Sequence, residues 1–137
     1  MTPTELEGEE GCFLPSPLAM WMTVDKQVNF TEFDYPVKGN GKILVVCTSE
    51  KDLTMQDGLT KFRTGNHPVE TIVPMRHVAA AGFTMEIATL MGAPVVMEEW
   101  CLPKEDPAFD AAYEQYKPQF ENPTSLQEIG GVFDDSY

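Results

Sequence analysis

Gly39-Asn40-Gly41-Lys42-Ile43-Leu44-Val45-Val46-Cys47 is a turn that opens into five consecutive apolar residues. The run is rich in β-branched side chains and does not alternate with polar ones, which predicts a strand buried on both faces. Such a strand needs hydrogen-bonded neighbours and a covering layer on each side. The rest of the chain is therefore read for what could supply them.

Residues 48–64 are polar and without a convincing period, so they read as a long connection. Long loops inside compact domains often carry function, which makes this one a candidate wall of a site. The strongest helix signal follows. Pro68 suits the first helical position and puts Glu70 at the third, from which a carboxylate can reach back to free N–H groups of the first turn. Val69, Ile72, Val73, Ala79 and Ala80 supply an apolar face, and Gly82 ends the helix. Pro74 has no N–H for the carbonyl of Glu70, so a kink is expected there. Residues 83–90 read as a second strand and residues 95–102 as a third. Asp106-Pro107 then caps a helix carrying Phe109, Ala112, Tyr113, Tyr116 and Phe120 at helical spacing, with Pro118 expected to kink or end it. Ser125 with Glu128 has the form of a capping box for one short turn, stopped by Gly130-Gly131.

Residues 1–38 carry Pro3, Pro15, Pro17 and Pro36 and no sustained period, so they read as an irregular arm. Its Phe13, Met20, Trp21, Met22, Phe30, Phe33 and Tyr35 argue that the arm is docked. The order strand, loop, helix, strand, strand, helix defines an α/β protein with a mostly parallel sheet over residues 39–137. Two or three strands are few for a doubly wound sheet, and the chain reads as unfinished.

The chain has 137 residues, about one domain, and 42% hydrophobic content, ordinary for a globular protein. With 22 acidic and 9 basic side chains its formal net charge is −13. That argues against nonspecific binding to nucleic acid or an anionic membrane, since both need clustered Lys and Arg. The acidic N-terminus lacks the basic segment and apolar core of a secretory signal. Residues 78–97 are apolar enough to raise a membrane span, but Gly82, Glu86, Gly92 and Pro94 break them into helix, turn and strand. Cys12, Cys47 and Cys101 are an odd, widely spaced set, which points to a reducing cytoplasm rather than disulfides or a zinc site.

Thr64-Gly65-Asn66-His67-Pro68-Val69-Glu70-Thr71, then Pro74 and Ala80-Ala81-Gly82-Phe83, resemble the HchA-type branch of the ThiJ/PfpI superfamily. The likeness extends to Phe13-Leu14-Pro15-Ser16-Pro17, Lys42-Ile43-Leu44-Val45, Glu99-Trp100, Glu114-Gln115 and Asn122-Pro123, and so covers residues 13–137. It implies a flavodoxin-like sandwich, here without its C-terminal half. It also implies a homodimer, cofactor-independent glyoxalase III activity on a small 2-oxoaldehyde, deglycase activity, and holding-chaperone action on unfolded clients. The family's nucleophilic cysteine and its following histidine lie in the second half, beyond Tyr137. The resemblance thus gives an N-terminal portion, inactive alone, that pairs with a second copy or a complementing half. The alternative is a non-catalytic interaction or chaperone module that pairs with another chain.

Within that resemblance Glu70 matches the acidic partner of the nucleophile, able to share a proton with a thiolate. From the residues alone it is a capping glutamate, and both roles can coexist. Cys47 ends the first strand, where α/β sheets place ligand sites. It has neither a tight glycine turn nor a following histidine, so it reads as a small buried hydrophobe. His67 reads as a capping or loop residue and His77 as a surface or satisfied helix residue. Cys12 and Cys101 have no basic neighbours in sequence to activate them. Met20, Met22, Met85, Met91 and Met97 read as core and arm packing, or as an adaptable client surface. Some HchA-type proteins bind zinc through two histidines and a glutamate. The matching positions here are Ala79, Thr84 and Tyr116, so no metal and no cofactor are expected.

Overall fold

A computed structural model of the chain describes residues 2–24, 28, 35–36 and 38–129. In chain order it has strands β1 (Thr4–Glu5) and β2 (Cys12–Leu14), helix α1 (Pro17–Thr23), and strands β3 (Lys42–Val46), β4 (Asp52–Thr54) and β5 (Lys61–Arg63). Helix α2 (Pro68–Ala80), strand β6 (Thr84–Thr89), helix α3 (Pro107–Glu121) and strand β7 (Thr124–Ser125) follow. The expected α/β class holds. Strands β3, β6 and β7 form an all-parallel sheet in that order, consistent with part of a flavodoxin-like sandwich.

The core lies where α2 and α3 cover this sheet. Ile72 and Met75 of α2 and Phe109, Ala112, Tyr116 and Phe120 of α3 pack with Ile87, Cys47 and Met97. Helix α3 buries four of the five positions its spacing predicted, with Tyr113 partly buried against the core, and Pro118 does not end it, because the helix continues to Glu121. Asp106 caps it by accepting from Ala108 N (3.1 Å) and Phe109 N (3.0 Å). Helix α2 turns only part of the expected face inward, with Ile72 in the core and Val69 packed against it. Pro68, Ile72 and Met75 are buried, an i, i+4, i+7 stripe, whereas Ala79 and Ala80 are exposed. Its end is a Schellman motif: Phe83 N donates to Val78 O and Gly82 N to Ala79 O, with Gly82 at φ +94°.

Three expectations are corrected. First, β3 is not buried on both faces. Val45 and Cys47 join the core, but Val46 is 55% exposed, and among the described residues β3 pairs on one side only, with β6. Second, residues 95–102 form no strand. The backbone polar groups of Val95 and Val96 are taken by Phe120 O, Thr48 O and Asn66, which leaves a single bridge from Met97 to Asn66 and a 3-10 turn at Glu99–Cys101. The third strand of the sheet is instead β7, beside the short turn expected after Ser125.

Third, residues 48–64 are not a structureless loop, and the arm is not wholly irregular. β4 and β5 form a hairpin, and β2 pairs parallel with β5 and antiparallel with β1, giving a four-stranded sheet in the order β1-β2-β5-β4. The arm is docked through this sheet and through α1 against the 3-10 turn. The hairpin turn is fixed by Asp57, which accepts from Leu59 N, Thr60 N and Thr60 Oγ1, with Gly58 at φ +72°. The arm's expected aromatic anchors Phe30 and Phe33 lie outside the described residues. Among the described residues no helix is long and apolar enough to cross a membrane.

Candidate functional site at the start of helix α2

The segment before α2 is fastened to two distant pieces of chain. The side-chain amide of Asn66 accepts from Thr48 N (3.0 Å) and donates to Thr48 O (2.9 Å) and Val96 O (2.7 Å). Its own backbone donates to Val96 O (2.8 Å) and accepts from Glu98 N (3.0 Å). Thr64 Oγ1 donates to Glu98 Oε1 at 3.0 Å. Gly65, at φ +153°, lies so close to residues 96–98 that an added Cβ would sit 2.8 Å from Val96 O. His67 then caps α2, its Nδ1 reaching Glu70 N at 3.5 Å, Thr71 Oγ1 donates to His67 O at 2.9 Å, and Pro68 is buried at the first helical position. This gathers the end of β3, the start of α2 and residues 96–98 at one point.

Glu70 occupies the third helical position, as its spacing predicted, but it is not the capping glutamate expected: its carboxylate is exposed and accepts no first-turn N–H among the described residues, and His67 takes the cap. It lines a groove of about 400 Å³ between β3 and α2, together with Leu44, Val46, Cys47, Thr71 and Pro74. Cys47 therefore shares the groove with Glu70. Its sulfur is buried, and that burial pushes the thiol pKa up, the opposite of what a nucleophile at neutral pH needs. The reading of Cys47 as a small buried residue agrees with this. A larger cavity, about 700 Å³, is lined by Leu14, Arg63, Val96, Trp100 and Tyr113, and neither Glu70 nor Cys47 borders it.

Cys101 and Glu98 join the neighbourhood without a signal in sequence. Cys101 is fully buried and donates to Glu98 Oε2 at 3.3 Å. Burial first, then the bond to Glu98 and the charges of Glu98 and Glu70, push this thiol well up. One carboxylate, Glu98, thus accepts from both Thr64 and Cys101. Thirty or more residues separate Glu98 from Thr64 and Asn66, so no local pattern reveals the arrangement.

The remaining candidates lie elsewhere. His77 is half-buried and bonded through Nδ1 to Tyr35 Oη at 3.2 Å, so the satisfied-helix reading fits. Cys12 has a basic neighbour that its sequence context did not reveal: Arg63 Nη2 lies 3.6 Å from its sulfur. Burial and the adjoining Asp52 nevertheless push its thiol up. Glu9, Cys12 and Asp52 are close enough to share a metal ion, but Arg63 already brings a positive charge to them, bonding Asp52 at 2.6 Å and pairing with Glu9. Of the three positions matched to zinc ligands, Ala79 is exposed on α2, Thr84 opens β6, and Tyr116 packs in the core against Phe120.

A parallel sheet covered by two helices, with Glu70 in the first turn of α2 beside the end of β3, defines an α/β protein consistent with part of a flavodoxin-like fold. No protein-family model matches the chain. Among curated proteins it is homologous to those named protein/nucleic acid deglycase HchA. It is 40% identical over 139 residues to the proteins of Pseudomonas aeruginosa strains LESB58 and UCBPP-PA14, covering 98% of this chain and 47% of each relative. It is 32% identical over 130 residues to that of Staphylococcus aureus strain JH9, covering 93% of this chain and 44% of the relative. The resemblance carried by residues 64–71 is thereby borne out, and the chain spans about half the length of the curated relatives it matches.

Proposed function

We propose that this chain carries the proton-transfer half of an HchA-type glyoxalase III and deglycase site, and that a complementing half supplies the cysteine nucleophile. The observation that carries the reading is Glu70. Its carboxylate is exposed at the first turn of α2, on a groove open beside β3, within the segment 64–71 on which the resemblance was read. In the reaction a thiolate adds to the aldehyde carbon of methylglyoxal and forms a hemithioacetal. Glu70 removes the proton from that carbon, and a proton returns to the neighbouring carbonyl carbon, which becomes the hydroxyl-bearing one. Water then hydrolyses the thioester to lactate and releases the thiol. One carbon is oxidised as its neighbour is reduced, so no external oxidant or cofactor enters.

The 137-residue chain alone is expected to be inactive on methylglyoxal, because Cys47 is buried and its thiol is held in the protonated form. Mixing it with the C-terminal half of a Pseudomonas relative should produce lactate. Glu70→Gln keeps shape and should lower turnover about 10²–10⁴-fold while the halves still associate. Near-normal turnover by the Gln variant would leave Glu70 without a catalytic role. A second reading, a non-catalytic module that pairs with another chain, draws on the exposure of Val46, Leu90 (63%) and Met91 (61%) beside the strand ends. Stable association of the halves without any lactate would favour it.

A further inference from the structure

We propose that Asn66 is the positioning residue for Glu70, a role that rests on the reading of Glu70 given above. Among the described residues no hydrogen bond or ion pair holds the Glu70 carboxylate, so its location is set by where the backbone of the first α2 turn lies. The cap from His67 is weak, at 3.5 Å. Pro68 is buried, but apolar packing alone does not fix a helix along its axis. Asn66 provides what is missing. Strand β3 is paired to β6 as far as Cys47, whose N–H donates to Ala88 O at 2.8 Å. At the next residue, Thr48, the partner is the Asn66 side chain, which meets both the N–H and the C=O as a neighbouring strand's peptide would.

The same amide nitrogen also reaches Val96 O. One short side chain therefore ties the start of α2 to the sheet and to residues 96–98, four positions before Glu70. Only an amide serves here. The site needs an acceptor for one N–H and donors for two carbonyls, and at this reach no other neutral side chain offers both.

The test uses two variants and two readouts. In the 137-residue chain, Asn66→Ala should speed amide exchange at Thr48, Thr71 and Ile72 about tenfold or more, the loss expected for one to two net hydrogen bonds. Ala81, bonded to His77 O at the far end of α2, should keep its wild-type rate. Asn66→Asp retains the acceptor but sets a carboxylate against the carbonyls of Thr48 and Val96. Once protonated it keeps an acceptor and regains one of the amide's two donors. Its Tm deficit should therefore shrink as pH falls, which a simple packing defect would not do. His67, Glu70 and Glu98 are the ionisable neighbours of the position, and they are present in wild type and variant alike, so the wild-type melt over the same pH range is the reference.

When either variant is mixed with the C-terminal half of the Pseudomonas relative, kcat should fall about 10–100-fold with KM held within about twofold, the mark of a misplaced proton-transfer group. Unchanged exchange at Thr71 and Ile72, or wild-type kcat despite lost protection at Thr48, would overturn the assignment. If the wild-type mixture makes no lactate, the function proposed above falls. The exchange rates and the acid rescue then still decide whether Asn66 holds the start of α2. Should Asn66→Ala fail to fold, the acid rescue of Asn66→Asp carries the test alone.

Discussion

Gly65→Ala is the sharpest test of the junction between α2 and residues 96–98. A methyl group at this position would meet Val96 O at 2.8 Å, Met97 C at 3.0 Å and Glu98 N at 3.1 Å, all backbone atoms that cannot swing aside. The backbone is also at φ +153°, which L residues rarely adopt. The conformational penalty is about 1–3 kcal/mol, and forcing an extra methyl into a packed contact adds about 1–3 kcal/mol. The expected loss is then roughly 2–6 kcal/mol, a large part of the 5–15 kcal/mol typical of a domain. Gly58→Ala separates the two contributions. Gly58 is at φ +72° with nothing within 4 Å of the added methyl, so only the conformational penalty applies. That is about 1–2 kcal/mol, reduced by the gain from a stiffer unfolded chain, leaving about 1 kcal/mol. Urea unfolding of wild type and both variants gives the comparison directly. If Gly65→Ala costs no more than Gly58→Ala, residues 96–98 do not press on the segment before α2, and the reasoning about the junction fails.

Asp106→Ala should cost about 1–2 kcal/mol at neutral pH through loss of the α3 cap. Bonds from the N–H groups of Val28, Phe109 and Ala108 hold the Asp106 carboxyl below the usual carboxylate range. Its stabilisation is therefore present above an unfolded pKa of about 3.9 and is lost as pH falls through the lower folded value. The urea-unfolding gap between wild type and variant should narrow under strong acid, and a gap that widened there would contradict the assignment. All three thiols are pushed up by burial, so at pH 7 iodoacetamide should alkylate Cys12, Cys47 and Cys101 at least about tenfold more slowly than free cysteine. Mass spectrometry that found Cys47 modified at the free rate would restore it as a candidate nucleophile.

Elements with local causes were legible in the sequence, and those held from a distance were not. Helix α2 announces itself through Pro68, Glu70 and Gly82, all within one segment. Helix α3 shows Asp106-Pro107 and an apolar stripe. Strands β1, β2, β4 and β5 are two or three residues each, too short for any period, and exist because Cys12–Leu14 pairs with Lys61–Arg63 across the chain. One local clue stood in that region, Asp57-Gly58, a hairpin dipeptide whose turn is now seen to carry three bonds to Asp57. Residues 95–102 mislead for the opposite reason. Their composition suits a strand, but Asn66, Thr48 and Phe120 claim the backbone groups that a ladder would use.

The site was half legible for a related reason. Glu70 is visible at the third helical position because a helix start is a local pattern, whereas its supports are not. In residues 64–70 nearly every position meets a different demand. Thr64 serves Glu98, and Gly65 clears the backbone of residues 96–98. Asn66 completes Thr48, His67 caps, Pro68 starts the helix buried, and Glu70 takes the third position. Six unlike constraints in seven residues leave no period to detect, so pattern reading finds only the last two or three. The same lack of redundancy explains why this short segment carried the resemblance so well. An apolar strand tolerates many interchanged side chains, as β3 does with Ile43, Leu44 and Val45. A segment in which an amide, a hydroxyl and a missing Cβ are each required tolerates few, and a match there reflects shared geometry rather than shared composition.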